Sequence, residues 1–171
     1  GVLLMAALTP FIMPLIDESQ RSRFEFNTYV YGDSGSGKSA ITKLLVDYFE
    51  GSPNIINLHS NKSEIDKIFE YKHCCVVIDD LCGTDSNRER ENNEQKLSEN
   101  LKRVQTPGQI VRDGKRIKNE SMLFVTGEYL LKSSSTLNRC LVVNLKDPIP
   151  PKEINKLCRN KDQYLEMVWC F

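Results

Sequence analysis

The stretch that decides the fold of this chain lies at residues 32–39. It reads Gly32-Asp33-Ser34-Gly35-Ser36-Gly37-Lys38-Ser39. Its glycines let the backbone curl so that successive N–H groups point at phosphate oxygens. In a GxxxxGKS loop, the lysine (Lys38) reaches the β- and γ-phosphates and the hydroxyl of Ser39 is offered to Mg²⁺. We therefore predict that all eight residues bind a nucleoside triphosphate, expected to be ATP.

The sequence on both sides of this phosphate loop fits such a site. Residues 24–32 (FEFNTYVYG) are rich in β-branched and aromatic side chains, which favour a strand. Residues 38–50 carry apolar side chains at helical spacing, and Gly51 is a helix stop signal. The loop therefore joins a strand to a helix, whose N-terminus adds a positive dipole end.

Beyond the loop, predicted strands continue to alternate with helices. Strands are predicted at 54–58, 74–81, 121–127 and 139–145, and helices at 63–71, 88–104 and 152–171. Residues 74–81 (CCVVIDDL) begin as a continuous apolar run, which is typical of a strand buried on both faces of a parallel sheet. The pattern predicts an α/β fold, a mostly parallel five-stranded sheet flanked by helices.

Two carboxylates end the apolar run, about forty residues after Lys38. A buried strand that delivers carboxylates beside a phosphate loop is a common way to hold Mg²⁺. We predict that Asp79 binds the metal through water and that Asp80 orients or deprotonates the attacking water. The alternative is a strand end with two solvated aspartates.

Polar residues near the last two strands are further candidates. Thr126 ends the strand at 121–127 and is expected to reach the γ-phosphate or the attacking water, with Glu128 as second choice. Arg139 opens the last strand and is expected to stabilise transition-state charge on a neighbouring subunit's nucleotide. Arg88 and Arg90 are weaker candidates for that role. An ordinary turn and a surface arginine are the alternatives.

A basic hairpin is predicted at residues 109–118. Asp113-Gly114 is a two-residue turn signal, and Arg112, Lys115 and Arg116 flank it. Such a hairpin would present positive side chains to a DNA backbone, in a contact that is independent of sequence and sensitive to salt. The alternative is a solvated surface turn, because such turns commonly carry lysine and arginine.

Composition limits the function classes. The 171 residues hold 23 Lys+Arg and 23 Asp+Glu, so the formal net charge is +0. This balance argues against coating nucleic acid by bulk charge but leaves room for a local basic element. Six cysteines lack the CxxC spacing of zinc sites, and reduced thiols in a cytoplasmic protein are the simpler interpretation.

The two ends suggest a piece of a longer protein. Residues 1–16 are apolar but too short to span a bilayer, and we expect a core helix that ends before Pro10, then an extended stretch. No membrane association is predicted. We divide the chain into an apolar helical segment at 1–23, an ATPase core at 24–147 and the start of a helical region at 148–171.

The order of these parts resembles the AAA+ P-loop ATPases, especially the helicase-like ones. The resemblance runs from GDSGSGKS through CCVVIDDL and the hairpin to SMLFVTGE and TLNRCLVVNL, about residues 24–145. More narrowly, the chain is similar to uncharacterised-domain ATPases of bacterial mobile elements and prophages. That resemblance implies a homo-oligomeric ring that moves DNA, with Arg112, Lys115 and Arg116 as pore contacts. Asp80 in place of glutamate and Thr126 in place of asparagine depart from the pattern, and the expected helical lid is largely missing.

The sequence therefore favours an ATP-hydrolysing, Mg²⁺-dependent motor core of a DNA helicase or translocase, for mobile-element or phage replication. An alternative is an ATP-gated switch or scaffold in defence or signalling, which the shorter Asp80 favours slightly. A small-molecule or nucleotide kinase is a third class, but no arginine-rich lid segment or acceptor-pocket signature supports it.

Overall fold

The computed structural model describes residues 2–21, 26–50, 54–57, 67–81, 86–105, 110–112, 115–117, 120–160, 162, 163 and 166. The strands are β1 (Asn27–Tyr31), β2 (Asn54–Asn57), β3 (Lys72–Leu81), β4 (Ile110–Arg112), β5 (Lys115–Ile117), β6 (Glu120–Gly127) and β7 (Cys140–Asn144). The α-helices are α1 (Val2–Ile12), α2 (Glu18–Arg21), α3 (Lys38–Glu50), α4 (Asn87–Gln105), α5 (Ser134–Leu137) and α6 (Pro151–Arg159). Short 3₁₀ helices lie at Met13–Leu15 and Lys67–Glu70.

Five strands form one parallel sheet in the order β2-β3-β6-β1-β7. The predicted α/β fold with a five-stranded sheet is confirmed, and every pair of neighbouring strands in it is parallel. β6 lies between β1, which leads into the phosphate loop, and β3, which carries Asp79. The carboxyl end of β6 therefore lies between the phosphate loop and the carboxylate strand.

Alternate residues of the central strands build two separate cores. Val30, Val77 and Phe124 pack with buried side chains of α1 and α3. Ile78 and Leu123 pack on the other face, with the apolar stripe of α4. Because the strands are covered on both faces, they read as continuous apolar runs rather than alternating ones.

A β-bulge interrupts β3 at its carboxyl end. Ile78 pairs with Val125 and Leu81 pairs with Gly127, so three steps along β3 match two along β6. Leu81 consequently packs in the same core as Ile78, although an odd spacing would place it on the opposite face. Bulges of this kind re-aim side chains beside functional sites, and this one lies at Asp79 and Asp80.

The predicted end of the first helix is wrong. α1 continues through the buried Pro10 to Ile12, and a 3₁₀ turn follows where an extended stretch was expected. Proline removes one backbone hydrogen bond, and so close to the end of the helix the burial of its ring offsets that loss. Within the described chain, no helix is both long and apolar enough to cross a membrane.

The hairpin is present as predicted in its backbone. β4 and β5 pair antiparallel, with Ile110 opposite Ile117 and Arg112 opposite Lys115. Of the helix predicted at 63–71, residues 63–66 lie outside the described residues, Lys67–Glu70 form a 3₁₀ turn, and Tyr71 is not helical.

Candidate functional site

The phosphate loop closes into a tight turn between β1 and α3. The Ser36 N–H donates to the Asp33 carbonyl at 3.1 Å, and Gly35 and Gly37 adopt φ values of 78° and 89°. Positive φ is costly for any residue with a Cβ, so these two positions require glycine. The Ile41 N–H bonds the Gly37 carbonyl at 2.9 Å, which begins α3 directly after the loop.

Lys38 lies buried inside its own loop. Its ammonium donates to the Asp33 carbonyl at 2.8 Å and to the Ser36 hydroxyl at 3.4 Å. In a GxxxxGKS loop this ammonium is the group expected to meet the β- and γ-phosphates, so nucleotide would have to take the place of these internal acceptors.

Asp79 is the centre of a polar cluster beside the loop. Its Oδ1 accepts hydrogen bonds from the Ser39 hydroxyl at 2.8 Å and from the Thr126 hydroxyl at 2.5 Å. Its Oδ2 forms an ion pair with the ammonium of Lys43, one helical turn after Ser39. Three elements, α3, β3 and β6, thus converge on one carboxylate.

These contacts set the charge state of Asp79. Burial acts to raise the pKa of its carboxyl, but hydrogen bonds from Lys43, Thr126 and Ser39, together with the charge of Lys43, outweigh burial. The pKa of Asp79 therefore lies below its ordinary value, and the group is an anion at neutral pH.

The donor set fits Mg²⁺ in kind. Mg²⁺ prefers oxygen ligands and usually takes one or two from the protein, completing its shell with water and phosphate. The Ser39 hydroxyl and the Asp79 carboxylate, hydrogen-bonded to each other, are such a pair. Within the described ranges no group of three or more His, Cys, Asp or Glu side chains has an arrangement that could hold a metal ion.

Other predicted site residues are placed less fully. The backbone of Asp80 lies in β3 at the bulge, but its side chain is outside what the structure describes. The same is true of the side chains of Arg112, Lys115 and Arg116 in β4 and β5. Glu128 is half-buried just after β6, and its N–H donates to the Leu81 carbonyl at 3.1 Å.

Arg139 lies at the amino ends of the strands, whereas the phosphate loop lies at their carboxyl ends. Its carbonyl accepts from the N–H of Asn27, the first residue of β1, whereas the loop follows the last residue of β1. Arg139 is therefore remote from the nucleotide site of its own chain. Of the predicted catalytic residues, the described side chains bring Thr126, and not Arg139, to Asp79.

Sequence reasoning missed three features, two at the site and one between α4 and the segment after β6. Lys43 was not singled out, although it follows Ser39 by four residues and so shares its helix face. The segment before α6 crosses the loop, where the Ile149 N–H donates to the Ser36 carbonyl at 3.0 Å. Glu94 of α4 is buried and accepts hydrogen bonds from the backbone N–H groups of Lys132 and Ser133. The sequence did hold a sign of this burial, because Glu94 lies in line with the apolar stripe of α4.

Comparison with known families agrees with this geometry. The family model nSTAND3, described as Novel STAND NTPase 3, matches residues 27–148. That range begins with β1 and ends after β7, so it contains the phosphate loop, Asp79 and Thr126. A search of the curated proteins gave no match.

Solved structures share the fold at low sequence identity. C. elegans PCH-2 matches with a TM-score of 0.52 and 12% identity, over 92% of this chain and 46% of that one. JCV helicase matches with a TM-score of 0.51 and 14% identity, over 96% of this chain and 50% of that one. A complex of JCV helicase with an acetamide compound matches with a TM-score of 0.51 and 13% identity, over 98% of this chain and 51% of that one. The chain spans about half the length of these proteins, and the predicted AAA+-like P-loop NTPase fold is confirmed.

Proposed function

The chain belongs to the nSTAND3 family of NTPases, and we propose that it binds ATP with Mg²⁺ and hydrolyses it. The observation that carries the proposal is the Ser39–Asp79–Thr126 cluster, which lies beside a phosphate loop whose Gly35 and Gly37 adopt positive φ. A loop alone would support binding. A half-buried carboxylate held by hydroxyl groups of two neighbouring elements adds the second half of a hydrolytic site.

The chemistry assigns each side chain a task. Lys38 and the loop N–H groups would neutralise the β- and γ-phosphates. Ser39 directly and Asp79 through water would hold Mg²⁺, which would supply positive charge against the phosphate oxygens. Asp80 would orient the attacking water. The water oxygen forms a bond to the γ-phosphorus while the bond to the β–γ bridging oxygen breaks, so ADP and inorganic phosphate leave.

For the coupled process, we propose a DNA helicase or translocase motor. The basic hairpin β4–β5 supports it, because its two paired strands carry Arg112, Lys115 and Arg116 and lie between α4 and β6 in the chain. JCV helicase, by its name a helicase, shares this fold. The position of Arg139 away from its own loop suits a residue that serves a neighbouring copy in a ring.

A second candidate function is an ATP-gated switch that hydrolyses slowly. It is favoured by the way the site is closed on itself. Lys38 bonds the loop's own acceptors, and the Asp79 carboxylate is paired with Lys43. A site in this state must exchange internal partners for nucleotide and metal, which would suit a gated protein.

ATP turnover with and without single-stranded DNA separates the candidates. A motor predicts that DNA raises turnover several-fold and that Lys115→Ala/Arg116→Ala abolishes the increase while keeping basal turnover. The matched control is Lys152→Ala/Lys156→Ala, which removes two positive charges from exposed positions of α6. ATP binding without DNA binding or stimulation would overturn the motor and support the switch. Phosphoryl transfer to an acceptor other than water would indicate a kinase.

A further inference from the structure

We propose that Lys43 is an internal cation that occupies the Asp79 carboxylate until Mg²⁺ and nucleotide displace it. Lys43 would then be a positioning residue that sets the Mg²⁺ concentration at which the site fills. This inference rests on the proposed function, since it concerns the same carboxylate.

The first step is that both carboxylate oxygens of Asp79 already have partners. Oδ1 accepts from both the Ser39 and the Thr126 hydroxyl groups, and Oδ2 carries the Lys43 ammonium. Both oxygens are therefore engaged before any metal arrives. A divalent ion that approaches this carboxylate meets a positive charge already seated on it, and like charges at such distances repel strongly where water is scarce.

The second step is that the side chain of Lys43 can move more easily than that of Asp79. The Asp79 side chain is 18% exposed and is fixed by two hydroxyl groups, whereas the Lys43 side chain is 35% exposed. Lysine has a flexible four-carbon stem and a strongly hydrated head. Lys43 can thus leave toward solvent while Asp79 stays in place, so the exchange of one cation for another needs no rearrangement of the sheet.

The third step is the placement of Lys43 by the helix. Ser39 and Lys43 are four residues apart in α3 and lie on the same face, one turn from each other. The element that offers a hydroxyl to the metal also offers the competing charge. Retention of the ammonium keeps the partly buried Asp79 anion compensated when nucleotide is absent, since an unpaired charge becomes more costly as it loses contact with water.

The test is equilibrium binding of a fluorescent ATP analogue as a function of Mg²⁺ concentration. Lys43→Met keeps length and removes charge, Lys43→Arg keeps charge, and Lys132→Met is the control, an exposed lysine outside the site. We expect Lys43→Met to reach half-saturation at roughly tenfold lower Mg²⁺ than the wild type, because the competing cation is gone. Lys43→Arg and Lys132→Met should resemble the wild type.

Thermal melting is a second measurement, which still tests the proposal if Lys43→Met folds poorly. In the absence of nucleotide, Mg²⁺ should raise the melting temperature of Lys43→Met more than that of the wild type, since the metal replaces the missing charge. An unchanged or higher Mg²⁺ midpoint, with an equal Mg²⁺ effect on melting, would overturn the proposal and leave Lys43 with a structural role. If the wild type itself binds no ATP at any Mg²⁺ concentration, the proposed function fails, and this inference fails with it.

Discussion

At the scale of single residues, the site depends on how Asp79 is aimed. Cys75 and Val77 of β3 face the core under α1 and α3, and Asp79 continues that face to reach Ser39 and Lys43. The bulge then reverses the face, so that Leu81 joins the opposite core. The apolar run of β3 predicts a buried strand that ends in carboxylates. It does not predict the bulge, because the position of a bulge depends on how β3 pairs with β6.

Gly127 tests how tightly the end of β6 is packed. A Cβ at this position would overlap the hydroxyl of Tyr29 and lie 3.0 Å from its Cζ, while that hydroxyl donates to the Tyr129 carbonyl at 2.6 Å. We expect Gly127→Ala to lower the free energy of unfolding by about 2–3 kcal/mol, since the fully buried ring has nowhere to move. Urea unfolding measures the loss.

Tyr29→Phe supplies the control for Gly127→Ala. Alone it should cost about 1 kcal/mol, the value of the lost hydrogen bond. Combined with Gly127→Ala it should cost less than the sum of the two, because the overlapping oxygen is gone. Strictly additive costs would mean that the two side chains do not meet as described.

Cys140 is expected to be chemically inert in the folded protein. Burial raises the pKa of its thiol to about 12, although the charge of Arg139 acts in the opposite direction. At pH 8 only about one molecule in ten thousand then carries the reactive thiolate. Iodoacetamide should label the exposed Cys158 and spare Cys140 until denaturant is added. Equal labelling of the two in the native protein would contradict this environment.

At the scale of elements, α4 is joined to the segment after β6 by a buried acid. Glu94 Oε2 accepts from the N–H groups of Lys132 at 2.9 Å and Ser133 at 3.3 Å. Ser133 in turn caps α5 through the Thr136 N–H. One carboxylate therefore orders the segment that leads to Arg139, and α4 itself leads into the basic hairpin.

Glu94→Ala should reveal this link. It removes the acceptor of two backbone donors, and we expect a loss of about 2 kcal/mol of stability in thermal or urea unfolding. Glu94→Gln keeps a carbonyl acceptor and should lose less. Glu99→Ala is the matched control, because Glu99 lies on the same helix and is exposed, bonded only to Gln95 among the contacts described for it; its cost should stay within about 0.5 kcal/mol. Equal losses at 94 and 99 would show that the buried contacts add nothing.

Sequence patterns predict the elements better than their contacts. Apolar runs and the GxxxxGKS loop predict the strands around the site, because burial on both faces and phosphate binding each require particular residue types. The continuation of α1 through Pro10 was not predictable from local propensity, since the packing that offsets proline is tertiary. The contacts of Lys43 and Glu94 were not predicted for a related reason. A charged side chain on a helix is usually solvated, and only the neighbouring elements show that these two are paired or buried.

At the scale of the whole molecule, the parallel sheet places the phosphate loop, Asp79 and Thr126 at the carboxyl ends of its strands and Arg139 at the amino end of β1. A ring in which each copy lends Arg139 to its neighbour predicts that Arg139→Ala lowers turnover at least tenfold while ATP affinity stays unchanged. Mixing this variant with Lys38→Ala should restore part of the turnover, since each supplies what the other lacks. No recovery on mixing, together with normal turnover of Arg139→Ala alone, would contradict exchange between copies.

The most direct test of the central claim is calorimetric titration of ATP into the chain with Mg²⁺ present. Binding does not require assembly, so it tests the site of the single chain. We predict saturable one-to-one binding by the wild type, and a loss of roughly 100-fold in affinity for Lys38→Ala while that variant is still folded at the assay temperature, because one charge-assisted contact with phosphate is removed. A folded wild type that binds no ATP, or a Lys38→Ala variant that binds it equally well, would contradict the account.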